Sequence, residues 1–133
     1  MSKKIKEIER KFLVQNIVEN ISDFSCDFII QGYLSVCNLN EVRIRKKGNK
    51  YFQTIKKGTG KVRFETEIEI TKNQFDLLWP LTQGKRIEKK RYKMPYMGKI
   101  LEIDIFLGKL DGLIIAEVEF DSEKESLNFL KPS

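Results

Sequence analysis

Residues 62–70 read Val62-Arg63-Phe64-Glu65-Thr66-Glu67-Ile68-Glu69-Ile70, with a charged side chain at every second position. Successive side chains of a β-strand point to opposite faces, so this alternation predicts a strand with one charged and one mostly apolar face. The charges are also sorted, because three of the four charged positions carry glutamate. Faces this different indicate that the strand separates two environments.

The same alternation recurs along the chain and predicts seven further strands. These are Glu7–Val14, Phe28–Ser35, Glu41–Lys47, Tyr51–Lys56, Arg86–Met94, Lys99–Phe106 and Leu113–Phe120. Turn residues at Gly48-Asn49 and Met97-Gly98 predict hairpins between neighbouring strands. Short strands joined by hairpins favour a mainly β, antiparallel meander or barrel, and eight strands suffice for a barrel that holds one small ligand.

Two stretches predict helices beside these strands, which makes the fold α+β in detail. Thr71 is a good N-cap for a helix over Lys72–Leu81, which Pro80 ends or kinks. Ser122 and Glu125 have the spacing of a capping box near the C-terminus. The segment 14–27 is ambiguous.

Length and composition predict a single domain over residues 1–133 with an anionic partner. The chain has 25 Lys and Arg against 19 Asp and Glu, which gives a formal net charge of +6. It contains no histidine. This excludes Ser-His-Asp and Cys-His catalysis and every zinc site that includes histidine.

The expected location is the cytoplasm. The N-terminus lacks the apolar segment of a signal peptide, and no apolar run approaches the roughly 20 residues that span a bilayer. Cys26 and Cys37 are too far apart for a Cys-x-x-Cys pair, and we expect both to be reduced thiols.

The charged faces of the strands favour phosphoryl chemistry. A plain sheet with its charged face in water explains any single strand, but charge recurs on nearly every strand. Like charges 4 Å apart repel by about 4 kcal/mol at an effective dielectric of 20, so an inward charged face requires counter-charge. A polyanion satisfies the Arg and Lys side chains, and an oxygen-liganded cation such as Mg²⁺ or Mn²⁺ satisfies the carboxylates.

An ordered set of motifs resembles the CYTH domains, the triphosphate tunnel metalloenzymes. The set is Glu7-x-Glu9-x-Lys11, Gln31-Gly32-Tyr33-Leu34, Val42-Arg43-Ile44-Arg45, Thr54-Ile55-Lys56, Arg63-x-Glu65-x-Glu67-x-Glu69, Lys89-Lys90-Arg91-Tyr92, Glu102-x-Asp104 and Ala116-Glu117-Val118-Glu119-Phe120. The resemblance covers essentially the whole chain and is closest to the compact bacterial branch. It implies an eight-stranded antiparallel β-barrel, or tunnel, with a polar charged lumen, a few flanking helices and a bound divalent metal.

The resemblance also implies roles for individual residues. Lys89 and Tyr33 are the predicted catalytic pair. The predicted triphosphate-binding residues are Lys11, Arg43, Arg45, Lys56, Arg63, Lys89 and Arg91. The predicted metal ligands are Glu7, Glu9, Glu65, Glu67, Glu69, Asp104, Glu117 and Glu119. Lys46, Lys47, Lys50 and Lys57 flank turns and are expected to be solvated, and Trp79 is expected to pack in the core.

The implied activity is metal-dependent hydrolysis of inorganic tripolyphosphate to pyrophosphate and phosphate, with Mg²⁺ or Mn²⁺. Alternatives within the family are an adenylate cyclase and a thiamine or nucleoside triphosphatase; outside catalysis, a triphosphate-binding module stays open. The predicted partner is a small polyanionic substrate, with no nucleic acid and no membrane, and a homodimer stays open. Family members continue beyond the equivalent of residue 133, so their C-terminal segment is expected to be missing here.

Overall fold

The computed structural model describes residues 2–16, 20–59 and 62–128, with side chains described from Ile8 onward except at positions 59, 123, 127 and 128. The strands are β1 Ser2–Leu13, β2 Ser25–Cys37, β3 Asn40–Lys47, β4 Lys50–Thr59, β5 Val62–Ile70, β6 Arg86–Tyr96, β7 Lys99–Phe106 and β8 Ile114–Glu119. The helices are α1 Lys72–Leu78 and α2 Glu123–Asn128, with 3₁₀ turns at Ile21–Asp23, Trp79–Thr82 and Gly108–Leu110. These bounds confirm the eight predicted strands.

The strands close into one antiparallel barrel in the order β1-β5-β4-β3-β2-β6-β7-β8. Strand β1 closes it because its two halves have different neighbours. Its first half, Ser2 to Ile8, pairs with β5, and its second half, Glu9 to Leu13, pairs with β8. Among the described strands, this full ring of pairing leaves none at the edge of a sheet.

The barrel has its apolar face outside and its charged face inside. Ile8, Leu101, Ile103, Ile114, Ala116, Val118 and Phe120 form one buried cluster on the outer side of β1, β7 and β8. Ile44, Ile70 and Phe75 form a second cluster, in which Phe75 of α1 covers the outer side of β3 and β5. Phe64, on the predicted apolar face of β5, is 48% exposed, because no described helix covers that part of the sheet.

Helix α1 begins as predicted and ends early. Thr71 Oγ1 accepts from the Gln74 amide, and the Gln74 side chain accepts from the Thr71 amide, which completes a capping box. The predicted end at Leu81 is wrong, since the α-helix stops at Leu78. Pro80 has no N–H to donate back along the helix, so the chain continues as a 3₁₀ turn.

The second cap and the packing of Trp79 are as predicted. The Glu125 amide donates to Ser122 Oγ at 3.1 Å at the start of α2. Trp79 stacks on Phe75 with ring centroids 5.0 Å apart. Of the helices in the described ranges, none has the length and apolar character required to cross a bilayer.

Gly32 on β2 is required by the turn that follows α1. Thr82 is fully buried against it, and a Cβ built on Gly32 lies 2.5 Å from the Thr82 side chain. Thr82 is itself held, because its Oγ1 donates to the Trp79 carbonyl and accepts from Arg86 Nε. The side chain cannot move aside without losing both bonds.

We therefore expect Gly32→Ala to lower the free energy of unfolding by about 1–3 kcal/mol, the usual cost of overpacking. Urea denaturation measures it. In a Thr82→Gly background the same change meets open space, so its cost shrinks. An equal cost in both backgrounds would show that the close approach of Thr82 is not the cause.

Candidate active site

The barrel encloses a cavity of about 350 Å³ whose lining residues are mostly charged. Its described lining is Glu9, Lys11, Gln31, Tyr33, Glu41, Arg43, Arg45, Lys47, Lys56, Arg63, Glu65, Glu67, Ile87, Lys89, Arg91, Glu102, Asp104, Phe106, Ile115, Glu117 and Glu119. Cationic and anionic side chains are equally numerous in this set. The net charge of the chain therefore lies outside the described lining.

The structure brings most of the predicted site residues together. All seven predicted triphosphate-binding residues and both predicted catalytic residues, Lys89 and Tyr33, line this cavity. Six predicted metal ligands also line it: Glu9, Glu65, Glu67, Asp104, Glu117 and Glu119. These residues come from all eight strands, so barrel closure is what assembles them.

Two predicted ligands do not join the described lining. Glu69 has an exposed side chain near the end of β5, where Phe52 is its partner across the sheet. Strand alternation puts Glu69 on the same face as Glu67, but the strand leaves the cavity before reaching it. Glu7 lies opposite Arg63 on β1 by backbone register, and its side chain falls outside the described residues.

The cavity also contains residues that sequence reasoning missed. Gln31, Glu41, Lys47 and Glu102 line it. We expected Lys47 to be solvated because it flanks a turn, yet it continues the inward alternation of Arg43 and Arg45 on β3. Gln31 is buried and donates to Tyr33 Oη at 3.3 Å. Strand alternation alone was a sufficient signal for all four residues.

Asp104 holds two of the predicted functional cations in fixed positions. It is 1% exposed, and its Oδ2 accepts from Lys89 Nζ at 2.7 Å. Arg91 Nε donates to Oδ1 at 2.8 Å, and Arg91 Nη2 donates to Oδ2 at 3.0 Å. This two-pronged geometry is the strongest form of an arginine–carboxylate pair. Both carboxylate oxygens of Asp104 are engaged by these cations.

Other cations pair with carboxylates of the same strand or of nearby strands. Arg45 Nη2 lies 3.1 Å from Glu67, and Lys56 Nζ lies 3.5 Å from Glu65. Lys11 Nζ lies between Glu9 at 3.7 Å and Glu117 at 3.6 Å. These pairs reduce the cost of enclosing so many charges in one lumen.

Several arginine groups in the lumen still lack an acceptor. The buried Nε–H groups of Arg43, Arg45 and Arg63 have no hydrogen-bond partner among the described residues. Burial and the neighbouring Arg43 lower the pKa of Arg45. A buried donor without an acceptor is costly, and a phosphate oxygen would supply one.

Comparison with known proteins shows to which family the barrel belongs. The CYTH domain model matches residues 6–131 of the chain. The chain belongs to the CYTH family. It is 43% identical over 129 residues to an inorganic triphosphatase of Nitrosomonas europaea, covering 95% of this chain and 83% of that protein. It is 36% identical over 121 residues to an inorganic triphosphatase of Acetivibrio thermocellus, covering 89% and 76%.

Solved structures confirm the tunnel fold of this CYTH protein. A crystal structure of an inorganic triphosphatase superposes with a TM-score of 0.68 at 40% identity, covering 95% of this chain and 81% of that one. A putative adenylate cyclase from Bacillus halodurans superposes with a TM-score of 0.70 at 21% identity, covering 93% and 85%. The second likeness concerns the fold alone.

Carboxylates of β1 and β8 supply the donors that a divalent cation prefers. CYTH triphosphatases generally depend on a divalent metal. Glu9 lies directly opposite Glu119 in the sheet, and Lys11 opposite Glu117. Like charges in opposite positions are destabilising without a counter-charge. Within the described residues no three such side chains already form a metal-binding group, so Glu9, Glu117 and Glu119 supply fitting donors rather than a finished site.

Burial and neighbouring charge shift the pKa values of the central groups. Burial and the neighbouring Arg91 lower the pKa of Lys89 to about 8, although the contact with Asp104 opposes them. Burial alone would raise the pKa of Asp104, but hydrogen bonds and charge from Arg91 and Lys89 bring it below its usual value. Burial likewise opposes a lowering of the pKa of Glu117 that Lys11 and Arg91 produce. Both carboxylates therefore stay ionised at neutral pH.

The depressed pKa of Lys89 predicts a pH-dependent stability. Between pH 8 and 10.5 the unfolded chain holds the Lys89 proton more tightly than the folded protein does. The free energy of unfolding therefore gains up to about 1.4 kcal/mol per pH unit from this group as pH rises. Lys89→Met should remove this gain, which denaturation at several pH values in the presence of a chelator measures.

Lys90→Met is the matched control, since Lys90 is the exposed neighbour on the outer face of β6. In Lys90→Met the free energy of unfolding should depend on pH as it does in wild type. Parallel profiles for wild type and Lys89→Met would contradict the lowered pKa of Lys89.

Proposed function

We propose that this CYTH protein hydrolyses inorganic tripolyphosphate to pyrophosphate and phosphate with a divalent metal. The observation that carries the proposal is the closed lumen, in which arginines and lysines from several strands face carboxylates. Two relatives that the chain matches over most of its length are named inorganic triphosphatases. Phosphoryl transfer depends mainly on positioning and charge neutralisation, and this lumen supplies both.

The cationic residues would hold the substrate along the lumen. Arg43 and Arg45 on β3 and Arg91 on β6 present planar guanidinium groups that suit paired phosphate oxygens. The carboxylate partners of Arg43 and Arg45 are acceptors that a phosphate chain replaces, while Asp104 keeps Arg91 in place. Binding therefore exchanges ion pairs within the protein for ion pairs to substrate, and the buried Nε–H groups gain acceptors.

The carboxylates Glu9, Glu117 and Glu119 would hold the metal, with Mg²⁺ and Mn²⁺ as the proposed ions because every described donor is a carboxylate oxygen. A bound divalent ion neutralises phosphate charge and acidifies water. Glu65 and Glu67 are further candidate ligands on β5. Asp104 was predicted as a ligand too, but its contacts support a role in holding Lys89 and Arg91.

Lys89 and Tyr33 would act on the attacking water. With a pKa of about 8, Lys89 Nζ is neutral often enough near neutral pH to accept a proton. The water oxygen bonds to a terminal phosphorus, the phosphoanhydride P–O bond breaks, and the water proton passes to Lys89 Nζ. Tyr33, held by Gln31, would orient the water through its hydroxyl.

The lining supports an inorganic substrate rather than a nucleotide. Its described apolar members are Ile87, Phe106 and Ile115. These offer little surface for an adenine or thiamine ring beside so many charges. We infer a cytoplasmic location as well, since Cys26 and Cys37 are both free, exposed thiols.

Phosphate release tests the proposal. We expect release from tripolyphosphate with Mg²⁺ or Mn²⁺, little release from ATP or pyrophosphate, and none in EDTA. Malachite-green detection of phosphate measures all of these. A preference for ATP with formation of a cyclic nucleotide would favour a cyclase, and release that EDTA does not affect would contradict a metal-dependent reaction.

Glu9→Gln makes this assay specific for the carboxylates. Removing one donor oxygen charge should lower turnover by at least roughly 100-fold, the upper end of the cost of a lost outer-shell partner. Glu88→Gln removes the same charge from an exposed position on β6 and should not affect turnover. Full activity of Glu9→Gln would show that Glu9 is not a metal ligand.

A further inference from the structure

Gln31, on the inner face of β2, uses only one half of its side-chain amide. The side chain is 2% exposed, and its Nε2 donates to Tyr33 Oη at 3.3 Å. Its Oε1 is buried as well and has no hydrogen-bond partner among the described residues. A buried acceptor without a donor costs free energy, so a group that donates to Oε1 would stabilise this site.

Arg45 carries the complementary unused group. It lies directly opposite Gln31 on β3, and residues in opposite positions of a sheet have Cβ atoms about 4.5–5.5 Å apart. The Arg45 Nε–H is buried and has no acceptor among the described residues. Because solvent reaches neither this group nor Gln31 Oε1, water cannot supply the missing bonds. The remaining partners are groups of the lumen itself and a substrate within it.

Glu67 keeps Arg45 away from Gln31 in this structure. Arg45 Nη2 donates to Glu67 Oε2 at 3.1 Å, and Thr54 Oγ1 donates to the same oxygen at 3.2 Å. The strand order β5-β4-β3-β2 puts Glu67 on one side of Arg45 and Gln31 on the other. The ion pair therefore draws the guanidinium group towards β5. A phosphate that replaces Glu67 ends this attraction and allows Nε to turn towards β2.

We propose that Gln31 is a positioning residue that links substrate binding to the catalytic pair. When Arg45 exchanges Glu67 for a phosphate, its Nε–H donates to Gln31 Oε1, and the amide is then held at both ends. Nε2 continues to donate to Tyr33 Oη, so the hydroxyl hydrogen of Tyr33 points away from Gln31, towards the attacking water. The inference rests on the proposed function, because it deepens the roles given there to Arg45 and Tyr33.

The side-chain chemistry of glutamine suits this link. An amide both donates and accepts, whereas a carboxylate only accepts and an ammonium group only donates. Gln31 is also the one amide among the described residues that line the cavity. Because it is uncharged, it can accept from Arg45 without competing with the phosphate for the charge of that arginine.

Gln31→Met and Gln31→Glu test the link through turnover. Methionine removes both hydrogen-bonding groups, and glutamate keeps the shape but cannot donate to Tyr33. We expect kcat for tripolyphosphate to fall roughly tenfold in both variants, in line with one lost hydrogen bond, and KM to change little in Gln31→Met. Full activity of Gln31→Glu would show that residue 31 accepts from Tyr33, which would overturn the proposed direction.

Gln53→Met is the matched control for these variants. Gln53 lies on the outer face of β4, opposite Ile44 on β3 and Ile68 on β5. The same substitution there should leave kcat as it is in wild type. A similar fall in kcat in Gln53→Met would show that loss of a strand glutamine, and not loss of the link, lowers turnover.

A double-mutant cycle with Arg45→Lys tests the connection to the substrate. Lysine keeps the charge but has no Nε–H, so Arg45→Lys should lower kcat in wild type and lower it much less in the Gln31→Met background. Arg63→Lys removes another buried Nε–H, on β5, and should change kcat by the same factor in both backgrounds. Independent falls in kcat for Arg45→Lys and Gln31→Met would overturn the link.

The Nε–H signal of Arg45 in a proton–nitrogen correlation spectrum reports the new bond without turnover, and its loss in Arg45→Lys assigns it. Tripolyphosphate added in EDTA should shift this signal in wild type and shift it far less in Gln31→Met. An equal shift in both would show that the phosphate itself accepts from Nε, which overturns the inference. If wild type binds tripolyphosphate without hydrolysing it, the proposed function alone fails, and the Arg45 signal still decides the inference. A wild type that does not bind tripolyphosphate would overturn both.

Discussion

The balance of charge inside a closed barrel is the constraint on which the rest of this structure depends. Closure removes every strand edge, and it also forces one face of each strand into a narrow shared space. Here that face is charged. The chain meets the cost by interleaving opposite charges, with Asp104 bound to Lys89 and Arg91, Glu67 to Arg45, and Lys11 between Glu9 and Glu117. Among the described lining residues opposite charges are equal in number, and their ion pairs can be exchanged for contacts to a substrate.

Because the lumen is charged, the hydrophobic core lies on the outside of the barrel. The apolar faces cannot meet across the lumen, so they are covered in two separate places. One cluster lies over β1, β7 and β8, and the other lies beneath α1. Stability therefore depends on elements at the periphery, such as the turn that seats Thr82 on Gly32. The lumen is left free to be optimised for binding rather than for packing.

Strand alternation predicted most of the fold because a period of two is a local property of the sequence. It located all eight strands, and it placed the charged residues on one face. It did not predict where that face leaves the lumen, so Glu69 was included. Lys47 was left out because it flanks a turn, although the alternation of β3 continues through it. Those limits depend on strand tilt and on which neighbour each strand meets in the ring. Helix α1 was predicted too long because the sequence does not decide whether Pro80 ends the helix or only kinks it. The double pairing of Asp104 was not predictable, since it joins β6 to β7 through side-chain geometry.

The central claim is that the interior of the barrel, and not its basic outer surface, binds a linear triphosphate. A crystal structure with a non-hydrolysable tripolyphosphate analogue and Mn²⁺ tests it most directly. The account predicts phosphate oxygens within hydrogen-bond distance of Arg45 and Arg91, with Mn²⁺ beside Glu9 and Glu119. An analogue bound to outward-facing lysines, with the ion pairs of the lumen unchanged, would contradict it.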